Sequence, residues 1–187
     1  MDWNRMAEEY LGVADELFNR LKGEIADLAE LIAARLKAGG KVMICGNGGS
    51  AADAQHFAAE LVNRFLMERR PYAAIALSTD TSILTAVGND YGYEFVFEKQ
   101  VQALGKKGDI LIAISTSGNA SNVCRAVDAA KALGVTTLAL TGGRGGKLAG
   151  LADHVLSVAS TSCVPRIQEG HQFIMHAVCE RVEEILK

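Results

Sequence analysis

Residues 41–60 read KVMICGNGGSAADAQHFAAE, a stretch that predicts a buried strand, a glycine turn and then a helix. The strand is predicted over 41–45, and its apolar run is typical of a strand covered on both faces. The three glycines of the turn allow backbone N–H groups to approach an anion, and the helix that opens at Ser50 adds the positive end of its dipole. The stretch therefore predicts an anion-binding loop at the carboxyl end of a strand.

A second loop of this kind follows another apolar strand, predicted over 109–114. It reads STSGN from Ser115 to Asn119. Three consecutive hydroxyl groups exceed what one helix N-cap needs, so we interpret them as phosphate ligands, with a serine-rich cap as the plain alternative. The first loop also fits the pattern G-x-G-x-x-A, but no acidic residue ends the next strand, which argues against a nicotinamide cofactor. Two such loops predict a small phosphorylated ligand.

Strands and helices alternate after residue 37, which predicts a parallel sheet with right-handed crossovers. Ligands in such sheets bind at the carboxyl ends of the strands, where both loops lie. We expect a single domain over 1–187, made of a helical arm over 1–37 and an α/β core over 38–187. The predicted strands are 41–45, 72–77, 109–114, 135–140 and 154–158, and the predicted helices are 50–64, 80–88, 94–104, 120–133 and 166–186.

The arm carries apolar side chains at helical spacing over 3–37, which predicts one long helix or two consecutive ones ending at Gly39–Gly40. The sequence leaves open whether the arm covers the chain's own sheet or packs against a partner subunit. A hydrophobic content of 49% indicates a doubly covered sheet, a large oligomer interface, or both.

The charge pattern excludes several classes of partner. A net charge of −3 with no basic stripe argues against a nucleic-acid surface, and we expect Arg69–Arg70 to lie in a solvated loop. The acidic start is not a signal peptide, and no apolar run could span a membrane. We therefore expect a cytoplasmic protein. The absence of C-x-x-C spacing predicts buried free thiols. The cysteines are Cys45, Cys124, Cys163 and Cys179.

His56 and Glu60 lie four residues apart on the predicted helix, so they share the face that follows the first loop. In isolation such a pair is an ordinary surface pair. Directly after an anion loop it also suits proton transfer by a carboxylate and an imidazole. The same spacing suits a zinc ion.

The last predicted helix opens with RIQEGHQFIMH over 166–176 and places Gln168, His171 and His176 among apolar residues. Buried polar side chains need partners. Gln168 and His176 are eight residues apart, which is about 12 Å along a helix. Either the helix starts after Gln168, or the two side chains reach different parts of a site, from neighbouring subunits for example.

Two turn segments are further candidates for ligand contact. Asn89 and Asp90 follow a glycine at a helix end, where they could bind sugar hydroxyls or simply close the helix. The GGRGG run over 142–146 is expected to be a flexible connection at another strand end, near the ligand.

Taken together, the motifs CGNGGS, HFAAE, VGND, ISTSGN, LTGGRGG and RIQE resemble the sugar isomerase (SIS) domain family, and more narrowly the phosphoheptose isomerases. The resemblance covers essentially the whole chain. It implies a flavodoxin-like three-layer α/β sandwich with a five-stranded parallel sheet, and a homotetramer with sites at subunit interfaces. It also implies an aldose–ketose isomerase that converts sedoheptulose 7-phosphate into D-glycero-D-manno-heptose 7-phosphate through an enediol. The product would serve ADP-heptose synthesis for lipopolysaccharide core or capsule sugars.

The resemblance further implies roles for single residues. Ala120 and Pro165 depart from the family pattern, which often has a serine and an acidic residue there. Glu60 and His176 would be the proton-transfer pair. One zinc ion per subunit would be held by His56, Glu60, Gln168 and His176. Substrate would contact Asn47, Gly48, Gly49, Ser50, Glu60, Asn89, Asp90, Ser115, Thr116, Ser117 and Gln168.

A sister group with the same fold binds the replication initiator and has no catalytic activity. The segments NRF at 63–65 and ALSTD at 76–80 resemble that group more. The sister group lacks the proton-transfer pair at the matching positions, whereas this chain keeps Glu60 and His176. The enzyme is therefore favoured over the binding module.

Overall fold

Five parallel strands form the centre of the computed structural model, which describes residues 1–187. Their order in the sheet is β2-β1-β3-β4-β5, and each neighbouring pair is parallel. This is the flavodoxin-like order, so the predicted fold class is confirmed. The strands are β1 Val42–Gly46, β2 Ala74–Ala76, β3 Ile110–Ser115, β4 Thr136–Gly142 and β5 His154–Val158.

Helices cover both faces of the sheet. Successive residues of β1 point to opposite faces, so Ile44 belongs to the core on one face and Met43 to the core on the other. Helices α2, α3 and α8 pack on the first face, and α5, α6 and α7 on the second. The helices are α1 Trp3–Glu16, α2 Lys22–Lys37, α3 Gly49–Val62, α4 Thr81–Asp90, α5 Val96–Leu104, α6 Ser121–Ala132, α7 Leu148–Leu151 and α8 Val164–Ile185.

The sheet order reverses between β1 and β3, because the chain first adds β2 on one side of β1 and then β3 on the other. All residues of both strands are buried, which explains their continuous apolar runs. In sheets of this kind the crevice for ligands lies where the order reverses. Both predicted anion loops follow these two strands and therefore meet at that crevice.

The arm is continuous, since a π-helical turn over Leu17–Leu21 joins α1 to α2. Helix α2 packs against α8 and contributes to the core, so this half of the arm covers the chain's own sheet. Helix α1 buries only Val13 and Glu16. Trp3 and Tyr10 are among its exposed large side chains.

Several local expectations differ from the structure. Strand β2 is shorter than predicted because only Ala74–Ala76 pairs with β1 at the sheet edge. The helix predicted over 94–104 begins with a 3₁₀ turn at Tyr93–Phe95, and the short α7 was not predicted. No helix combines the length and apolar composition needed to cross a bilayer.

The expectation of a solvated Arg69 is wrong. Its side chain is only 9% exposed and its Nε donates to Glu183 Oε1 at 2.8 Å. The guanidinium also stacks over the ring of Tyr72 at 4.0 Å. A charge-assisted hydrogen bond and an aromatic face compensate the burial of this cation.

Candidate active site

The first anion loop lies between β1 and α3 and is held by an amide pair. Gly48 adopts φ +55°, a backbone conformation that residues other than glycine rarely adopt. Asn47 and Asn122 exchange two hydrogen bonds of 2.9 Å, each Nδ2 donating to the other's Oδ1. Asn122 is buried in the first turn of α6, directly behind the second loop. The amide pair therefore ties the two loops together.

The second loop borders an open depression of about 410 Å³. Thr116 and Ser117 line it on one side, and Ala159, Thr161 and Ser162 line it from the segment between β5 and α8. The end of β4 and the first turn of α8, with Val164 and Ile167, complete the lining. The hydroxyls of Thr116 and Ser117 are therefore the loop hydroxyls that a ligand in this depression would meet.

The second loop packs tightly on the glycine run after β4. A methyl group at Gly118 would lie 1.9 Å from the carbonyl oxygen of Gly145, so only glycine fits. The Asn119 Nδ2 donates to the Ser117 carbonyl at 2.8 Å, and the Lys147 N–H donates to Asn119 Oδ1 at 3.1 Å. The glycine run expected as a flexible connection instead packs against the hydroxyl loop.

Helices α3 and α8 lie side by side and run in the same direction. At their amino ends, Gly49 lies against Gln168, whose Nε2 would be 2.4 Å from an added Cβ. The next contact pairs Asp53 with Gln172, whose Nε2 donates to Asp53 Oδ1 at 3.1 Å. The third contact is between His56 and His176. Contacts therefore recur about once per turn along the two helices.

His56, Glu60 and His176 form a cluster at the third contact. The two His Nε2 atoms are 3.4 Å apart, and His56 Nε2 is 3.0 Å from Glu60 Oε1. One ligand atom from each residue lies within 4.8 Å of the others. The structure therefore brings together the Glu60 carboxylate and the His176 imidazole, which are 116 residues apart in the sequence.

The donor atoms of this cluster suit a zinc ion. The His56 Nε2 faces both a carboxylate oxygen and a second imidazole nitrogen, but it can present only one proton or one lone pair. A cation bound by all three groups would satisfy every lone pair. Two imidazoles and one carboxylate are also a common ligand set of catalytic zinc, with a fourth position left open.

Gln168 lies apart from this cluster within the chain. Helix α8 begins at Val164, so the possibility that it starts after Gln168 is wrong. Gln168 lies about 12 Å along the helix from His176. Its side-chain amide sits against Gly49 in the first loop.

Asp53 lies between the loop and the cluster, and the sequence assigned it no role in the site. It is 3% exposed, and its Oδ2 has no hydrogen-bond partner. Burial raises its pKa, which the hydrogen bond from Gln172 and the charge of His56 lower only in part. The carboxyl group thus binds α8 through Gln172, one turn before the cluster.

A buried ion pair holds the far end of α3. Glu183 accepts hydrogen bonds from the N–H groups of Phe65, Leu66 and Met67 at 2.8, 2.8 and 3.0 Å. Arg69 bridges Glu183 and the carbonyl of Glu60, to which its Nη2 donates at 2.7 Å. Burial raises the pKa of Glu183, but these hydrogen bonds outweigh it and leave the pKa below its ordinary value.

That ion pair also places an aromatic ring on the cluster. The ring of Phe65 lies 5.4 Å from the ring of His176. Because Glu183 fixes the backbone of Phe65, it determines the wall beside His176. Neither Glu183 nor Arg69 carried a motif, so no sequence signal marked them.

The other residues predicted to contact substrate differ in burial and in hydrogen bonding. Ser50 and Ser115 are buried, so they shape the loops from within. Asn89 and Asp90 are exposed at the end of α4, and Asn89 Nδ2 donates to Asp90 Oδ1 at 2.7 Å. Neither side chain hydrogen-bonds to the anion loops within this chain. Tyr93, a little further on, reaches Asn47 with its hydroxyl at 3.5 Å.

His171 is a structural histidine. It is completely buried, its Nε2 donates to the Thr141 carbonyl at 2.8 Å, and its Nδ1 has no partner. Burial lowers its pKa to about 4, although the hydrogen bond to Thr141 acts in the opposite direction. The ring is therefore neutral and fixes α8 behind the end of β4.

The fold and site define a class: a doubly wound α/β protein with a glycine-rich loop and a hydroxyl-rich loop at the sheet crevice and a carboxylate–imidazole cluster on the helix that follows the first loop. The sequence model of the SIS domain matches residues 7–142. The chain belongs to the SIS domain family and, within it, to the group of the phosphoheptose isomerases.

Close relatives support this assignment. The phosphoheptose isomerase of Nitratidesulfovibrio vulgaris is 51% identical to this chain, and the alignment covers 96% of this chain and 86% of that relative. That of Aquifex aeolicus is 57% identical over 87% of this chain and 85% of its own. Among solved structures, the phosphoheptose isomerase of Neisseria gonorrhoeae has a TM-score of 0.90 at 45% identity, covering 97% of this chain and 98% of the other.

Proposed function

We propose that this protein is an aldose–ketose isomerase that converts sedoheptulose 7-phosphate into D-glycero-D-manno-heptose 7-phosphate. One observation carries the proposal: Glu60 and His176 converge in one cluster, two helical turns along α3 from a loop suited to phosphate. The names of the relatives support the heptose phosphate as substrate. They give no support to the initiator-binding alternative.

The separation between loop and cluster suits a substrate that is phosphorylated at one end. Gly49 and His56 are seven residues apart, which is about 10 Å along α3. Thr116 and Ser117, with the glycine loop, would hold the phosphate, and Asn47, Asn89 and Asp90 would contact the sugar. Binding energy from the phosphate would then orient the reacting carbons at the cluster.

The reaction needs a base on carbon and a proton carrier on oxygen. Glu60 would remove a proton from C1 of the open-chain ketose and return it to C2 of the enediol. His176 would move protons between the two oxygens and help to open the sugar ring. His56, Glu60 and His176 would hold the zinc ion, which would polarise the carbonyl group when bound.

A homotetramer with sites between subunits belongs to the same proposal. Helix α4, which carries Asn89 and Asp90, buries none of its residues within the chain. Ile83 on α4 and Trp3 on α1 are exposed, and large apolar side chains at the surface favour an interface with another subunit. Gln168 of a neighbouring subunit would then complete the zinc ligands, since one chain keeps it about 12 Å from His176.

Three further expectations complete the proposal. The chain would act as a single domain over 1–187, because α2 of the arm shares its core with α8 of the rest. Four free cysteines suit a reducing compartment, which supports a cytoplasmic location. The product would enter ADP-heptose synthesis for surface polysaccharides.

The direct test is to incubate the purified protein with sedoheptulose 7-phosphate in D₂O and follow the sugar by NMR. The proposal expects an aldose product with deuterium at C2, because the enediol exchanges its proton with solvent. Recovery of unchanged, unlabelled ketose at zinc saturation would reject the activity. Ribulose 5-phosphate in a parallel sample tests whether the chain length of the sugar matters.

A further inference from the structure

We propose that Glu16, on the N-terminal arm, is a positioning residue for the phosphate end of the site. Its carboxylate holds the segment that forms the far wall of the depression opposite Thr116 and Ser117. The inference deepens the proposed function and rests on it for the identity of the ligand.

Both oxygens of the Glu16 carboxylate accept hydrogen bonds from that segment. The Ala159 N–H donates to both of its oxygens at 3.0 Å, and the Ser160 N–H donates to Oε2 at 3.0 Å. Ala159 itself lines the depression. Glu16 is only 8% exposed, so water does not replace these contacts readily. The start of the loop after β5 is therefore held by hydrogen bonds to the arm.

Arg20 extends the same contact one turn further along the arm. Its Nε donates to Glu16 Oε1 at 3.1 Å, and its Nη2 donates to the Ser157 carbonyl at 2.6 Å. The Ser157 hydroxyl in turn donates to the Gly143 carbonyl at 2.9 Å. The Gly142 N–H donates to the Thr116 carbonyl at 3.0 Å. Hydrogen bonds thus run from the arm through two strand ends to the hydroxyl loop.

The backbone of the arm changes at the same place. The π-helical turn over Leu17–Leu21 starts directly after Glu16 and includes Arg20. Such turns are rare within α-helices and are frequent at functional sites. Leu17 and Leu21 are buried while Glu16 and Arg20 face the loop, so the turn anchors this contact in the core.

Because Glu16 is negatively charged, we infer that it holds the loop and does not contact the phosphate itself. Burial raises its pKa, but hydrogen bonds from Ser160, Arg20 and Ala159 outweigh it and leave the pKa below the ordinary value. Glu16 is therefore an anion at neutral pH, close to a wall that would meet another anion. Its lone pairs are directed at two N–H groups and a guanidinium, which neutralise it. An isolated carboxylate at this place would repel a phosphate.

The test compares Glu16→Ala and Glu16→Gln with Glu9→Gln, a half-buried arm residue paired with the exposed Arg5. Titration with inorganic phosphate, followed by the amide signals of Ser117 and Ala159, gives the dissociation constant without any need for turnover. We expect about tenfold weaker binding for Glu16→Ala, a smaller loss for Glu16→Gln, and none for Glu9→Gln. Faster hydrogen exchange at Ala159 and Ser160 should accompany the loss.

Kinetics with sedoheptulose 7-phosphate provide the second measurement. Positioning of the phosphate wall predicts a KM raised about tenfold with kcat within a factor of about three. Phosphate affinity within twofold of wild type in both Glu16 variants would overturn the inference. A wild type that binds phosphate but does not isomerise the sugar would instead reject the proposed function, and the phosphate titration would still decide on Glu16. If Glu16→Ala does not fold, Glu16→Gln alone decides.

Discussion

Asn47 and Asn122 form a reciprocal amide pair, with both hydrogen bonds at 2.9 Å, across the crevice between β1 and β3. Replacing Asn122 by alanine leaves the Asn47 amide without its partner in a half-buried position. We expect the free energy of unfolding to fall by about 1–3 kcal/mol in urea titrations. The matched control is Asn19→Ala, which removes an exposed bond to Asp15 and should cost under about 0.5 kcal/mol. Equal losses for the two variants would contradict the role given to the pair.

Glu60→Gln tests the carbon base. The amide keeps the shape of the side chain but cannot accept the proton, so kcat should fall by about 10³-fold. Circular dichroism and the oligomeric state should be unchanged, and zinc content should be measured in the same samples. Glu24→Gln, on the exposed side of α2, should retain full activity. Turnover by Glu60→Gln within tenfold of wild type would remove Glu60 from this role.

The zinc site is tested by removing one imidazole. His56→Ala should weaken zinc binding by at least about tenfold, measured by competition with a chromogenic chelator. His154→Ala removes an exposed histidine from β5 and should leave the affinity unchanged. The affinity of the wild type should also fall as the pH decreases toward 5, because protons compete for the imidazoles. A similar effect from both histidine variants would argue against a site at His56.

Glu183 and Glu184 are neighbours on α8, but Glu183 belongs to a buried ion pair and Glu184 to an exposed one. Glu183→Gln leaves Arg69 buried without its counter-charge and should destabilise the protein by about 3–5 kcal/mol. Glu184→Gln breaks a pair with Arg181 in which both side chains are about half exposed, and should cost under about 1 kcal/mol. Thermal and urea unfolding of both variants measure the difference. Comparable stabilities would show that Glu183 does not hold the end of α3.

Stability should depend on pH through His171. Its pKa is about 4 in the folded protein against an ordinary value of 6.5, so the unfolded chain binds the proton more readily between these values. Stability is therefore lost as the pH falls from 6.5 to 4, by about 3 kcal/mol from this residue. In His171→Gln, whose amide can still donate to Thr141, that part of the slope should vanish. Unfolding free energies at pH 7.5, 6 and 4.5 provide the comparison.

The sequence predicted those features that arise within a few residues. The strand–glycine–helix pattern of 41–60 fixes β1, the first loop and α3, because burial and backbone freedom act locally there. The spacing of His56 and Glu60 equally fixes their shared helix face. The approach of His176 to His56 depends on how α8 packs on α3, and only the family resemblance pointed to it.

Features built from distant residues were not visible in the sequence. Arg69 looks like part of a solvated basic pair, and its burial depends on Glu183, which lies 114 residues further along the chain. Asn122 carries no motif of its own, and its role comes from facing Asn47 across the crevice. The π-helical turn has no distinctive composition, so nothing in the arm indicated where Glu16 points.

The contact between Gly118 and Gly145 limits how this scaffold can diversify. A single methyl group at Gly118 would collide with the opposing backbone, so this position of the hydroxyl loop cannot accept a side chain. Descendants of this enzyme that adopt another sugar would more readily vary the wall after β5, where Thr161 and Ser162 line the depression. The hydroxyl loop over Ser115–Asn119 would then stay unchanged among such descendants.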